Sequence, residues 1–211
     1  MITSAKALSL AFLAIGIFVL MQVGLPLISF QIWEIGQKYN NQILSSPKLN
    51  QNQVLGVSLQ TINNFPAFVS TKKRESLPYS EFHLTITRIN LQETNVYVDS
   101  NDLSKGLVHL PGAALPGERG NVFISGHSAL SNLYSKGAYF AKLSDVKAGD
   151  LIKVEANGAK FAYQVIEIKT VSPMDLSVIA PPDKEGRYIS LMTCVPPGLN
   201  FKRLIVLGKM I

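Results

Sequence analysis

Two hydrophobic patterns divide the chain. From Ala7 to Trp33 apolar residues follow one another with no charge among them, broken only by mild interruptions such as Ser9, Gln22, Pro26, Ser29 and Gln31. A helix of about 20 such residues crosses the hydrocarbon core of a bilayer, so the pattern predicts one transmembrane helix over residues 7–31. The run exceeds the apolar core of a cleavable signal peptide, and no small-x-small cleavage site follows Phe30. The expectation is therefore an uncleaved anchor. Ile32, Ile35, Tyr39 and Ile43 continue the helical spacing to about Leu44, where Ser45-Ser46-Pro47 breaks it. Residues 45–80 are rich in Asn, Gln, Ser and Pro and read as a stalk or a loosely packed lead-in.

From Phe82 the period changes to two. Phe82, Leu84 and Ile86 alternate with His83, Thr85 and Thr87, the mark of a half-buried strand. Short strands follow at Val96–Val98, Val122–Ile124, Leu151–Val154, Phe161–Ile168, Tyr188–Thr193 and Leu204–Leu207, separated by Pro, Gly, Asn and Asp turns. Asn157-Gly158 is the strongest hairpin signal, because both residues accept the positive φ of a type I′ turn. Gly137–Leu143 is the only short helix expected in this half. Many short strands without alternating helices predict a mainly β fold, an antiparallel barrel or sandwich.

Charge changes this picture little. The net charge of +6 is scattered, and the one basic cluster, Lys72-Lys73-Arg74, precedes the strands in a polar stretch. A nucleic-acid surface is denser and interleaved with aromatics, so no nucleic-acid partner is expected; a solvated face, anionic lipid headgroups or wall polymers fit the charge as well.

Candidate chemistry changes it more. Cys194 is the single cysteine, which excludes an internal disulfide and leaves two roles for the thiol, apolar filling or nucleophile. It ends the run Ser190-Leu191-Met192-Thr193-Cys194 where a strand meets the turn Val195-Pro196-Pro197-Gly198, and Arg203 follows inside an apolar strand. Three histidines can partner it. His83 lies on the polar face of its strand, His109 precedes Leu110-Pro111-Gly112 and caps a turn or lines a cleft, and His127 follows Gly126 at a strand exit.

Read together, Asn121-Val122-Phe123-Ile124-Ser125-Gly126-His127-Ser128, then Ser190–Cys194, then Arg203-Leu204-Ile205-Val206 resemble the sortase family of cysteine transpeptidases. The likeness covers roughly Phe82 to Ile211, with Ser190 in place of the usual Thr that opens the cysteine motif. Gly106–Gly117, which includes His109, looks like the segment that precedes the histidine strand. The resemblance implies an eight-stranded sortase-type β-barrel with one or two short helices, behind a single N-terminal transmembrane helix. It divides the chain into a cytoplasmic tail (1–6), an anchor (7–31), a stalk and lead-in (32–80) and a catalytic barrel (81–211).

It also implies an activity. Such an enzyme cleaves an LPxTG-like sorting signal of a surface protein through a thioacyl intermediate, and passes the acyl group to an amine of the cell envelope or a pilin-type lysine. Cys194 is then the nucleophile, His127 the general acid and base, and Arg203 the group that holds substrate and steadies the oxyanion. His109, Thr193, Leu176, Val178 and Ile179 are the substrate-binding candidates. The last three lie in the long segment 172–186, which is either a wall of the peptide groove or a surface loop packed on the barrel. No cofactor and no metal are expected, because the loop before Asn121 offers only Glu118 as a carboxylate. The implied location is the cytoplasmic membrane, N-terminus inside and catalytic domain outside, with lipid contacts through residues 7–31.

Cys194–Arg203 is similar to the Cys-x-Pro-x-Gly-x-Asn-x-x-Arg pattern of pilin-polymerising class C enzymes, whereas the single anchor and the lack of an Asp-Pro-aromatic lid are similar to class D or a divergent class. Two other roles fit the same residues, a non-enzymatic membrane-anchored binding barrel and a cysteine peptidase that hydrolyses the acyl enzyme.

Overall fold

The computed structural model describes residues 4–40, 57–62, 65–70, 72, 74–128, 137–197 and 201–211. They fall into two compact units, Met1–Gln42 and Ile43–Ile211. The first is a single helix, α1 (Ser4–Asn40, 37 residues), about 55 Å long at the usual rise per residue. Among the residues whose side chains are described, no helical stretch is long and apolar enough to cross a membrane. The helical backbone nonetheless runs unbroken through the charge-free segment Ala7–Trp33.

The second unit is a closed barrel of eight strands with a hairpin beside it. The hairpin is β1 (Val57–Ile62) with β2 (Phe65–Ser70). The barrel strands are β3 (Glu81–Ile86), β4 (Leu91–Tyr97), β5 (Leu107–His109), β6 (Gly120–Ser125), β7 (Leu151–Ala156), β8 (Ala159–Val171), β9 (Arg187–Val195) and β10 (Lys202–Met210). Round the barrel they follow the order β10-β8-β7-β3-β4-β5-β6-β9. Two pairings, β4 with β5 and β6 with β9, are parallel, and the others are antiparallel. Asn157 and Gly158 take φ of 49° and 79°, making the tight β7–β8 hairpin that their sequence predicts.

Strands β6, β9 and β10 are buried on both faces, which explains why Val122-Phe123-Ile124 and Ile189–Met192 read as continuous apolar runs rather than alternations. Phe123, Met192 and Ile205 cluster with Val57 and Phe68 of the hairpin, with Leu110 and Ala113, and with Leu176, Val178 and Ile179. All of these partners lie outside the barrel strands, so that face points outward under a cover. By alternation Val122, Ile124, Leu191, Leu204 and Val206, also buried, fill the interior.

Three elements differ from the sequence reading. The polar stretch read as stalk and lead-in holds the β1–β2 hairpin, and the compact unit begins before it. Its tail is fastened down: Ser70 and Asn101 exchange two hydrogen bonds, the Arg74 backbone N–H donates to Asp99, and the Arg74 guanidinium donates to Glu118 and to the Ala113 carbonyl. Strand β5 is only three residues long and was not foreseen. The helix expected over Gly137–Leu143 does not form where it is described; a series of turns leads into a 3-10 turn at Leu143–Asp145. Phe140 and Leu143 are buried there, and so short a segment gains more from inserting two apolar side chains than from helical bonds. The helix expected to run on past Trp33 continues to Asn40, and the rest of its expected extension, residues 41–44, lies outside the described residues.

Candidate active site

Strand register brings the distant residues together. In the antiparallel β9–β10 ladder, Cys194 is the direct partner of Arg203. In the parallel β6–β9 ladder, Asn121 to Ser125 pair with Tyr188 to Met192. One more bond, from the Gly126 N–H to the Met192 carbonyl (3.1 Å), carries this alignment past the last pair. Thr193 therefore stands level with Gly126, and His127 leaves the sheet beside the end of β9 that carries Cys194. Neighbouring strands lie about 4.8 Å apart, so Cys194 and Arg203 are direct neighbours, and with the β6 exit that carries His127 they make a row at one edge of the barrel. By alternation Cys194 and Arg203 share the outward face with Met192 and Ile205.

Exposure grades along this row. His127 is exposed, Cys194 half-buried and Arg203 almost wholly buried. The Arg203 Nη1 donates to the Lys202 carbonyl at 3.3 Å, which braces the guanidinium at the root of β10. Burial pushes the Cys194 thiol above its ordinary pKa, and the Arg203 charge opposes that rise without cancelling it. His127 sits at the place where β6 leaves the sheet. Its carbonyl accepts from the Phe140 N–H at 3.1 Å. A side chain at the preceding Gly126 would place its Cβ 2.5 Å from Leu107 Cδ2 and 2.8 Å from Phe140 Cδ2, so only glycine fits that exit.

The remaining candidates stand behind the row rather than in it. His109 is fully buried. Its Nε2 meets the Ala114 carbonyl at 2.9 Å, and its Nδ1 lies 3.4 Å from both the backbone N and Oδ1 of Asp99. Burial works against the Asp99 carboxylate, but hydrogen bonds from His109 and from the Arg74 and Gly112 N–H groups outweigh it and hold its pKa below the usual value. His109 thus fastens a turn, the first of its two sequence readings. Leu176, Val178 and Ile179 form a 3-10 turn packed into the cover cluster. Thr193 is buried and donates its hydroxyl to the Gly126 carbonyl at 2.8 Å. His83 pairs with Asn95 and Glu155 on the far side of the barrel.

Asn121 was quoted in the sequence only as part of the histidine motif. Its Nδ2 donates to the Ile179 carbonyl at 3.0 Å and reaches the Val178 carbonyl at 3.4 Å, so it ties segment 172–186 to β6. An asparagine inside an otherwise apolar strand was the available signal. Among the described residues no group of three or more His, Cys, Asp and Glu side chains is arranged to hold a metal ion.

The family profile described as Sortase domain matches residues 83–211, more than half of the chain and the whole of the barrel after its first two residues. The chain belongs to the sortase family. It is similar to Sortase D of Bacillus subtilis, with 29% identity over 130 residues that cover 60% of this chain and 61% of that protein, so the match spans under two thirds of the relative. Among solved structures it resembles Sortase A from Corynebacterium diphtheriae, studied as a lid mutant, at 32% identity and a TM-score of 0.57, covering 65% of this chain and 73% of that one. It also resembles Sortase C1 of GBS Pilus Island 1, at 34% identity and a TM-score of 0.55, covering 62% and 64%.

Proposed function

We propose that this chain is a membrane-anchored cysteine transpeptidase acting on an LPxTG-like sorting signal, with Cys194, His127 and Arg203 as its catalytic residues. The observation that supports the reading is the Cys194–Arg203 strand pair with the β6 exit to His127 beside it, at one edge of a sortase-family barrel. The Cys194 sulfur attacks the scissile carbonyl as its proton passes to the His127 imidazole, and Arg203 stabilises the oxyanion by charge-assisted hydrogen bonds. The imidazolium then gives that proton to the leaving amine as the C–N bond breaks, which leaves a thioester. An incoming envelope amine or pilin-type lysine attacks the thioester and surrenders a proton to His127. The departing thiolate takes the proton back.

The anchoring part of the proposal rests on α1. Its charge-free run is long enough for the hydrocarbon core, and Leu8, Phe12, Leu13, Phe18 and Leu20 on it are each at least 60% exposed, as a lipid-facing helix requires. With residues 7–31 in the membrane and residues 1–6 inside, the barrel works outside the cell on surface proteins.

The test is to incubate the full chain in detergent with a panel of sorting-signal peptides, with and without an amine acceptor, and to follow the protein by mass spectrometry. A thioacyl adduct on Cys194 that disappears on amine addition is expected. Substantial cleavage by the Cys194→Ala protein overturns the reading.

A further inference from the structure

Thr193 was a substrate-binding candidate, yet its side chain does not face the row of reactive residues. Alternation along β9 turns Cys194 outward with Met192 and turns Thr193 inward with Leu191. Its hydroxyl is buried and spent on the Gly126 carbonyl at 2.8 Å. The bond sits at a critical point. The β6–β9 pairing ends at Ser125 and Met192, one bond from the Gly126 N–H follows, and then the chain turns off toward His127. At that point the Thr193 side chain, rather than another strand pair, takes up the Gly126 carbonyl. On the far side the Phe140 N–H holds the His127 carbonyl. Gly126 itself is wedged against Leu107 and Phe140.

We infer that Thr193 is a positioning residue: its hydroxyl latches the exit of β6 to β9 and thereby sets the distance between the His127 imidazole and the Cys194 sulfur. The inference rests on the transpeptidase reading above for its consequence in turnover, but not for the latch itself. A proton moves between two side chains that stand on different strands. Only the relative placement of those strands brings the two groups within reach, and a displacement of 1 Å in a reacting pair costs about 100-fold in rate. The latch therefore acts on the proton-transfer step through the placement of the two strands.

The test compares Thr193→Val, which keeps the shape and removes the hydroxyl, with Thr193→Ser, which restores the hydroxyl, both in the full chain. Expected for Thr193→Val is a fall in kcat of about 100-fold with KM within about threefold of the native value, together with a flattening of the pH–rate limb that depends on His127. Thr193→Ser recovers most of that loss. A Thr193→Val protein with native kcat, or with a raised KM and unchanged kcat, overturns the inference, the second result placing the hydroxyl on the substrate instead.

A second readout needs no turnover. The rate of Cys194 alkylation by iodoacetamide is followed against pH with and without His127→Ala. In the native background removing His127 shifts the curve, because the two groups are neighbours; in the Thr193→Val background the same removal leaves it unmoved. An equal shift in both backgrounds, or none in the native one, defeats the latch. A chain that shows the coupling but cleaves no sorting peptide defeats the transpeptidase reading and leaves the latch standing.

Discussion

Two histidines in this barrel have opposite circumstances. His109 is fully buried, bonded to a backbone carbonyl at one ring nitrogen and set beside a carboxylate at the other. His127 is exposed at a strand exit, at the barrel edge where a half-buried thiol pairs in register with a buried arginine. Residue type is the same, and each stands at the end of a short strand, His109 closing β5 and His127 just past β6. The difference lies in what surrounds the ring: a histidine whose two nitrogens are occupied fastens the fold, and one left at the edge of a reactive row is placed to move protons.

The comparison breaks most visibly at His127. His127→Ala should lower turnover of a sorting peptide by a factor of about 10² to 10⁴, the usual worth of general acid–base catalysis, while the thermal midpoint stays near native. A loss of folding without a specific loss of turnover would reverse the two assignments. Next in size is Arg203→Lys. The replacement keeps a charge but loses the planar fork, and removal of one oxyanion donor costs about 10² to 10³ in rate. Steady-state assays that separate thioacyl formation from amine transfer should show acylation as the damaged step, whereas Arg119→Lys, whose guanidinium pairs with exposed Glu185, should be nearly silent.

His109→Ala should act through stability instead. It leaves the buried Asp99 carboxylate and the Ala114 carbonyl short of partners, which costs about 1–3 kcal/mol for a stranded buried group. Urea denaturation should show the lower midpoint, and turnover per folded molecule should persist. A pH series sharpens the contrast further. The folded thiol titrates above its ordinary value, so the alkylation rate of Cys194 should rise through an inflection higher than that of a free cysteine. Arg203→Ala removes the opposing charge and should move that inflection higher still.

The smallest expected effect concerns Asp99. Its folded pKa is depressed, so the unfolded chain binds more protons in the acid range and the Asp99 network stabilises the fold above the unfolded value of about 3.9. That contribution should fade as pH falls through the depressed folded value. Asp99→Asn should flatten the acid limb of the stability–pH curve, and an unchanged limb would show that the His109–Asp99 contact carries no charge.

Local pattern was enough for much of the barrel. The alternation of Phe82, Leu84 and Ile86, the Asn157-Gly158 turn and the apolar runs of β6, β9 and β10 each follow from side-chain period and turn chemistry within a few residues. Local motif was enough, too, to single out Cys194, His127 and Arg203 as candidates. Where the signal was short or polar, it failed. β5 is held by β4 on one side and β6 on the other, and three residues carry no period of their own. The β1–β2 hairpin rises from an Asn- and Gln-rich stretch because Val57 and Phe68 find an apolar face to cover, a face that exists only once the barrel has closed.

The sequence by itself determined which segments extend, where they turn and which side chains are able to react, because these depend on neighbours along the chain. Tertiary structure alone decided that His109 fastens Asp99, that Leu176, Val178 and Ile179 pack into the cover cluster, and that Thr193 holds Gly126. Ladder register joins strands far apart in the chain, and burial follows from what those strands then enclose. Both are set by the closed barrel as a whole.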